Sequence, residues 1–113
     1  MARRIEKVNE LLQQELAKLI QQEFADELGM INVNLVQTTS DLREAKVYLS
    51  AVNRKILPKE VHLIQSKAHY FQNTLAKKLF IKYIPKLKFL IDEGKEKIIR
   101  VEKLLEEIKK DNL

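Results

Sequence analysis

The apolar residues of this chain switch period as the sequence advances, from helical to two, back to helical, and to two again. That order limits the folds open to it. Ile5, Val8, Leu12, Leu16, Leu19 and Phe24 recur at helical spacing from Arg3 to about Glu23, with Leu11 and Ile20 widening the stripe and Gly29 placed to stop it. From Met30 the period becomes two. Ile31, Val33 and Leu35 point one way and Asn32 and Asn34 the other, as in a half-buried strand. Thr38, Thr39, Ser40 and Asp41 supply turn chemistry, because their short side chains bond nearby backbone groups. A second strand follows, in which Ala45, Val47, Leu49 and Ala51 alternate with Lys46, Tyr48 and Ser50. The two strands are expected to pair as an antiparallel hairpin.

Pro58 stands where a helix tends to begin. Lys59 to Asp92 then reads as helix, kink, helix and a strand opened by Pro85. Ile64, Ala68, Phe71, Leu75 and Leu79 are spaced 4, 3, 4 and 4 residues apart, one face of a helix. Pro85 costs little as the first residue of a strand, and Leu87, Phe89 and Ile91 alternate behind it. A crossover of some thirty residues from the second strand suits parallel pairing, which is right-handed in nearly all cases. The expected fold is α+β, a three-stranded sheet with helices on one face. Ile31, Val33, Leu35, Val47, Leu49, Leu87, Phe89 and Ile91 would meet Leu12, Leu16, Leu19, Phe71, Leu75 and Leu79 in its core. Gly94 breaks the chain, and Ile98, Val101, Leu105 and Ile108 mark a further helix over Lys95 to Lys110, either docked on the domain or partly frayed.

Charge is unevenly spread. Arg54 to Lys88 holds nine Lys or Arg against Glu60 alone, a local net of +8 in a chain whose total is +5. Residues 93–113 net about zero. A pI near 9.4 favours an anionic partner, nucleic acid before a membrane surface. No apolar run approaches the ~18 residues that span a bilayer, and nothing near the N-terminus forms a signal-peptide core. The absence of cysteine excludes disulfides and thiolate metal sites and fits a reducing cytoplasm. At 113 residues the chain has the length of one domain.

The order helix-strand-strand-helix-helix-strand is that of a type II KH domain, and two motifs narrow it further. Ser40-Asp41-Leu42-Arg43-Glu44-Ala45-Lys46-Val47-Tyr48-Leu49-Ser50 resembles the turn and strand of the ribosome-binding factor A family. Ile84-Pro85-Lys86-Leu87-Lys88-Phe89-Leu90-Ile91-Asp92 resembles that family's last strand. Arg4-Ile5-Glu6-Lys7-Val8-Asn9 and Glu15-Leu16 match its first helix. The resemblance runs from about residue 3 to 108. It implies a KH-like RNA-binding domain over residues 1–92, with residues 93–113 as a helical extension. It also implies a kinked helix pair where other KH domains carry a Gly-x-x-Gly loop. Ala68, His69 and Tyr70 mark that place here, with Tyr70 where the family usually has Gly and Asn73 where it often has Arg. Non-Gly residues disfavour a left-handed backbone, so a gentler kink, or a break one residue away, is expected. The implied function is binding to the small ribosomal subunit and to 16S rRNA near its 5′-terminal helix, in support of late rRNA maturation and growth in the cold. The implied form is a cytoplasmic monomer.

Binding would rest on phosphate contacts that release counterions. The candidates are Lys67, Lys77, Lys78 and Lys82 on the helix pair, Lys86 and Lys88 on the last strand, Lys46 on the second, and Arg3, Arg4 and Lys7 on the first helix. The alternative for each of these side chains is a solvated surface charge. Tyr70 could stack on an unpaired base or lie partly buried beside Phe71. A different class of function, a module whose basic face meets an acidic protein, fits the same charge. Catalysis has little to use. His62 and His69, seven residues apart, lack a completing ligand for a metal. Asp41 and Glu44 sit at a turn, and no phosphate loop or nucleophile elbow is present. No cofactor, metal, membrane or small-molecule substrate is expected.

Overall fold

The computed structural model of the chain describes residues 2–79 and 83–94, with side chains from Arg4 onward. Helix α1 runs from Ala2–Leu28. It stops where expected, at Gly29, whose N–H still donates to the Ala25 carbonyl at 3.0 Å while its φ of 69° turns the following chain out of the helix. Strands β1 (Ile31–Thr38) and β2 (Glu44–Ala51) form the antiparallel hairpin. In its turn Asp41 accepts hydrogen bonds from the Thr39 hydroxyl and the Arg43 N–H. These bonds, the hydroxyl's first, hold its carboxyl below the usual aspartate range.

One strand departs from simple alternation. Val33 pairs with Leu49 and Leu35 with Tyr48, so Asn34 is an extra residue and β1 bulges there. Beyond the bulge the inward phase passes to Val36, which is 2% exposed. Leu35, expected in the core, stays half-buried opposite Tyr48 on the other face.

Helices α2 (Pro58–Gln65) and α3 (Ala68–Leu79) lead to β3 (Lys86–Ile91), which runs parallel to β2 and completes a sheet of order β1-β2-β3. The inward residues of all three strands meet α1, α2 and α3 in one core, so the helices share one face of the sheet. Phe71 lies at its centre, fully buried, its ring edge-on to Phe24 at 6.5 Å and Phe89 at 6.0 Å. Ile20, Phe24, Val36, Ile56 and Val61 enlarge the core beyond the expected set. The expected helix over Lys95 to Lys110 lies outside the described residues, as does Lys82.

Candidate nucleic-acid interface

The helix pair breaks at Ser66 and Lys67. Ser66 keeps right-handed dihedrals (φ −62°, ψ −18°) and its N–H still donates to the His62 carbonyl. The Lys67 N–H reaches back only to Ile64, at 3.0 Å, a tightened turn of 3-10 type, and Phe71 then donates to Lys67 to start α3. No left-handed residue is needed, so the turn forms without glycine. It lies ahead of the expected Ala68–Tyr70 position. Ala68 is half-buried against the core, and His69 and Tyr70 are ordinary exposed residues in the first turn of α3. Tyr70 is 47% exposed, its ring centroid 5.8 Å from that of Phe71 and tilted to it. His62 and His69 fall on different helices. Among the described residues no three His, Cys, Asp or Glu side chains gather as a metal site.

The lysines do not form one patch. The Lys78 ammonium lies 2.7 Å from a carboxylate oxygen of Glu15 on α1, and Lys18 approaches the same side chain at 3.5 Å. The contact with Lys78 above all holds the Glu15 carboxyl below its ordinary value, against the opposing effect of burial. Lys67, just ahead of α3, faces Glu23 at 3.9 Å, so α1 runs antiparallel to α3 and sets acids against both lysines. Arg54 is bound to Glu60. Lys77 is exposed and makes no ion pair among the described residues. The same antiparallel arrangement brings the start of α1 to the end of α3. There Arg4 shares a cleft of about 210 Å³ with Val8, Leu11, Leu79, Tyr83 and Pro85, and Lys7 is exposed one turn along from Arg4.

The second group lies on the outer face of the sheet. Lys46 and Lys88 are register partners across β2 and β3, and Glu44 and Lys86 are the next pair on that face. Leu87 and Phe89 point to the helices, so Lys86 and Lys88 point away from them. Two like charges set directly side by side are unfavourable in water and favour an anion between them. Two basic surfaces therefore stand in place of one. The outer sheet face carries Lys46, Lys86 and Lys88, and the helix ends carry Arg4, Lys7 and Lys77. Arg3 lies in the first turn of α1, and Lys82 lies outside the described residues.

Reading the sequence missed two members of these surfaces. Glu15 is the carboxylate that takes up Lys78; its signal was a charge set inside the apolar stripe Leu12, Leu16, Leu19. Tyr83 is an aromatic ring 75% exposed beside Arg4, and nothing in the periodicity marked it.

Comparison with known proteins bears on this geometry. The profile of one family, ribosome-binding factor A, matches residues 4–105. The ribosome-binding factor A of Bdellovibrio bacteriovorus is 36% identical over 108 residues, covering 94% of this chain and 81% of the relative. The crystal structure of ribosome-binding factor A from Thermus thermophilus superposes with a TM-score of 0.68 at 21% identity, over 77% of this chain and 94% of that one. A homology model of the Thermus thermophilus protein, fitted into a cryo-EM map of its complex with the 30S subunit, gives a TM-score of 0.63 at 22% identity, over 72% and 87% of the two chains. The two structures agree on the fold, and the sequence relationship extends across both motifs and both basic surfaces: the chain belongs to the ribosome-binding factor A family.

Proposed function

We propose that this chain binds the small (30S) ribosomal subunit in the cytoplasm, contacts 16S rRNA and supports its late maturation, as a monomer and without catalysis. The family match across residues 4–105 carries this reading. The two basic surfaces supply the physical means, since each lysine that neutralises a phosphate releases condensed counterions. The outer-face pair Lys46 and Lys88 and the exposed Lys77 are the preferred contacts, because no acid among the described residues pairs with them. Lys67 and Lys78 contribute less, being matched by Glu23 and Glu15.

Co-sedimentation with small subunits over a range of potassium chloride tests the assignment. Lys46→Gln with Lys88→Gln, and separately Lys77→Gln, should flatten the log–log salt dependence by about 0.7–0.9 for each phosphate contact removed. Unchanged slopes in both variants would show that rRNA is not held by these lysines. Binding to immature subunits in preference to mature ones tests the maturation role itself.

A further inference from the structure

Leu11 and Tyr83, two large side chains left open to solvent, line the same cleft of about 210 Å³ between the start of α1 and the chain entering β3. Val8 and Pro85 add apolar wall, and Leu42 reaches the cleft from the hairpin turn. Leu42 takes a φ of 61°, which bulky residues rarely adopt, and its N–H donates to the Thr39 carbonyl at 2.9 Å. The turn thus holds a leucine in a costly backbone conformation in which its side chain walls the cleft. The volume falls below the ~300–1,000 Å³ of sites that enclose a whole small molecule. It suits one ring or one side chain.

The surroundings decide between a nucleobase and an apolar side chain of a protein. Arg4 is part of the wall, Lys7 is exposed one turn along α1, and Lys77 is exposed near the end of α3. Glu6 and Glu10 fall on other faces of α1 from Arg4, Val8 and Leu11. Asp41, the acid next to Leu42, is engaged by the Thr39 hydroxyl and the Arg43 N–H. An apolar slot with a largely exposed aromatic ring and a border of cations matches single-stranded nucleic acid. A base lies on the ring, and the flanking phosphates lie on the cations.

We propose that this cleft takes one unpaired nucleobase, stacked on Tyr83, with its flanking phosphates at Arg4 and Lys7. The inference rests on the rRNA reading above and gives the helix-end surface a preference for single strands. Duplex RNA can meet the cations but has no free base to insert.

Binding of the full-length protein to a fluorescein-labelled single-stranded RNA oligonucleotide, and to the same strand annealed to its complement, separates base from phosphate. The parent should favour the single strand. Tyr83→Ala should weaken single-strand binding about 5- to 150-fold, the loss of one stacked base, and leave duplex binding and both salt slopes as they were. Tyr83→Phe should bind as the parent does. Unchanged single-strand binding in Tyr83→Ala, equal weakening on single strand and duplex, or a flatter salt slope would overturn the proposal. So would a Tyr83→Ala protein that binds small subunits more weakly but the single strand as well as the parent, which would make a protein side chain the occupant. A parent that grips the single strand through Tyr83 yet fails to sediment with small subunits would remove the ribosomal reading and leave the base slot standing.

Discussion

At Arg54 one guanidinium joins three parts of the chain. Its two terminal nitrogens hold both carboxylate oxygens of Glu60, at 2.7 and 2.8 Å, and one of them also donates to the Leu28 carbonyl at the end of α1, at 2.8 Å. Glu60 in turn accepts the Leu57 N–H at 2.9 Å, in the first turn of α2, where a negative charge is favoured. The hydrogen bonds from Arg54, more than any other influence, keep the Glu60 carboxyl below its ordinary value of 4.5 and outweigh the opposing effect of burial. On acidification the unfolded chain therefore takes up this proton first. The stabilisation is complete above about pH 4.5 and is lost as pH falls through the lower folded value. Glu60→Gln should be less stable than the parent near pH 7, and the gap should narrow as pH falls below about 4.5. Urea unfolding midpoints across that range check it, and a gap that stays constant would rule the linkage out. Glu15 keeps part of the acid dependence in the variant, through Lys78. Sequence counted Arg54 and Lys78 among free positive charges. Whether a given lysine meets an acid is decided by how helices pack, which periodicity does not encode, though Glu15 inside an apolar stripe was a readable hint.

At the scale of elements, β3 is an edge strand whose open side would present unpaired backbone groups. Gln65, the last residue of α2, covers two of them. Its side-chain amide donates to the Leu87 carbonyl at 2.9 Å, and its carbonyl accepts the Phe89 N–H at 2.8 Å, as a neighbouring strand would. Gln72 on α3 adds a bond to the Pro85 carbonyl at 3.2 Å. Gln65→Ala should cost about 1–3 kcal/mol, the usual penalty for leaving part-buried backbone groups unpaired. It should also speed hydrogen exchange at the Phe89 amide more than at Leu49, in the central strand. Equal exchange at Phe89 in the two proteins would show that the bond carries little. Element types and order were legible because each has its own period, and Gly29 and Pro58 punctuate them where sequence places them. The bulge was not. Leu35 and Val36 are both apolar, so a strict period of two continues through Asn34 without sign of an extra residue. The helix break was displaced for a related reason. A glycine was the expected marker, whereas Ser66 and Lys67 make the turn within right-handed dihedrals.

For the whole molecule, two basic surfaces lie on different sides of one small core, and an RNA that engages both must wrap around the domain rather than lie against it. Among the described residues no helix is long and apolar enough to cross a membrane. The parallel pairing of β2 with β3 has a further consequence, one of timing. Glu44 meets Lys86 at a sequence separation of 42, while the hairpin closes within a few residues. Long closures are paid in entropy before their contacts give anything back, so the outer strand is expected to join after α1 and the hairpin have associated. Phe89→Leu, which gives up ring packing worth about 1 kcal/mol, should then speed unfolding several-fold and leave the folding rate nearly unchanged. Val47→Ala, in the strand shared by both pairings, should slow folding. Stopped-flow measurements across urea concentrations separate the two, and slower folding in Phe89→Leu would reverse the order. Until β3 arrives, the far edge of β2 stands open to any other strand. The charges of Glu44 and Lys46 along it then act as guards of a half-built sheet, a role that vanishes from view once folding is complete.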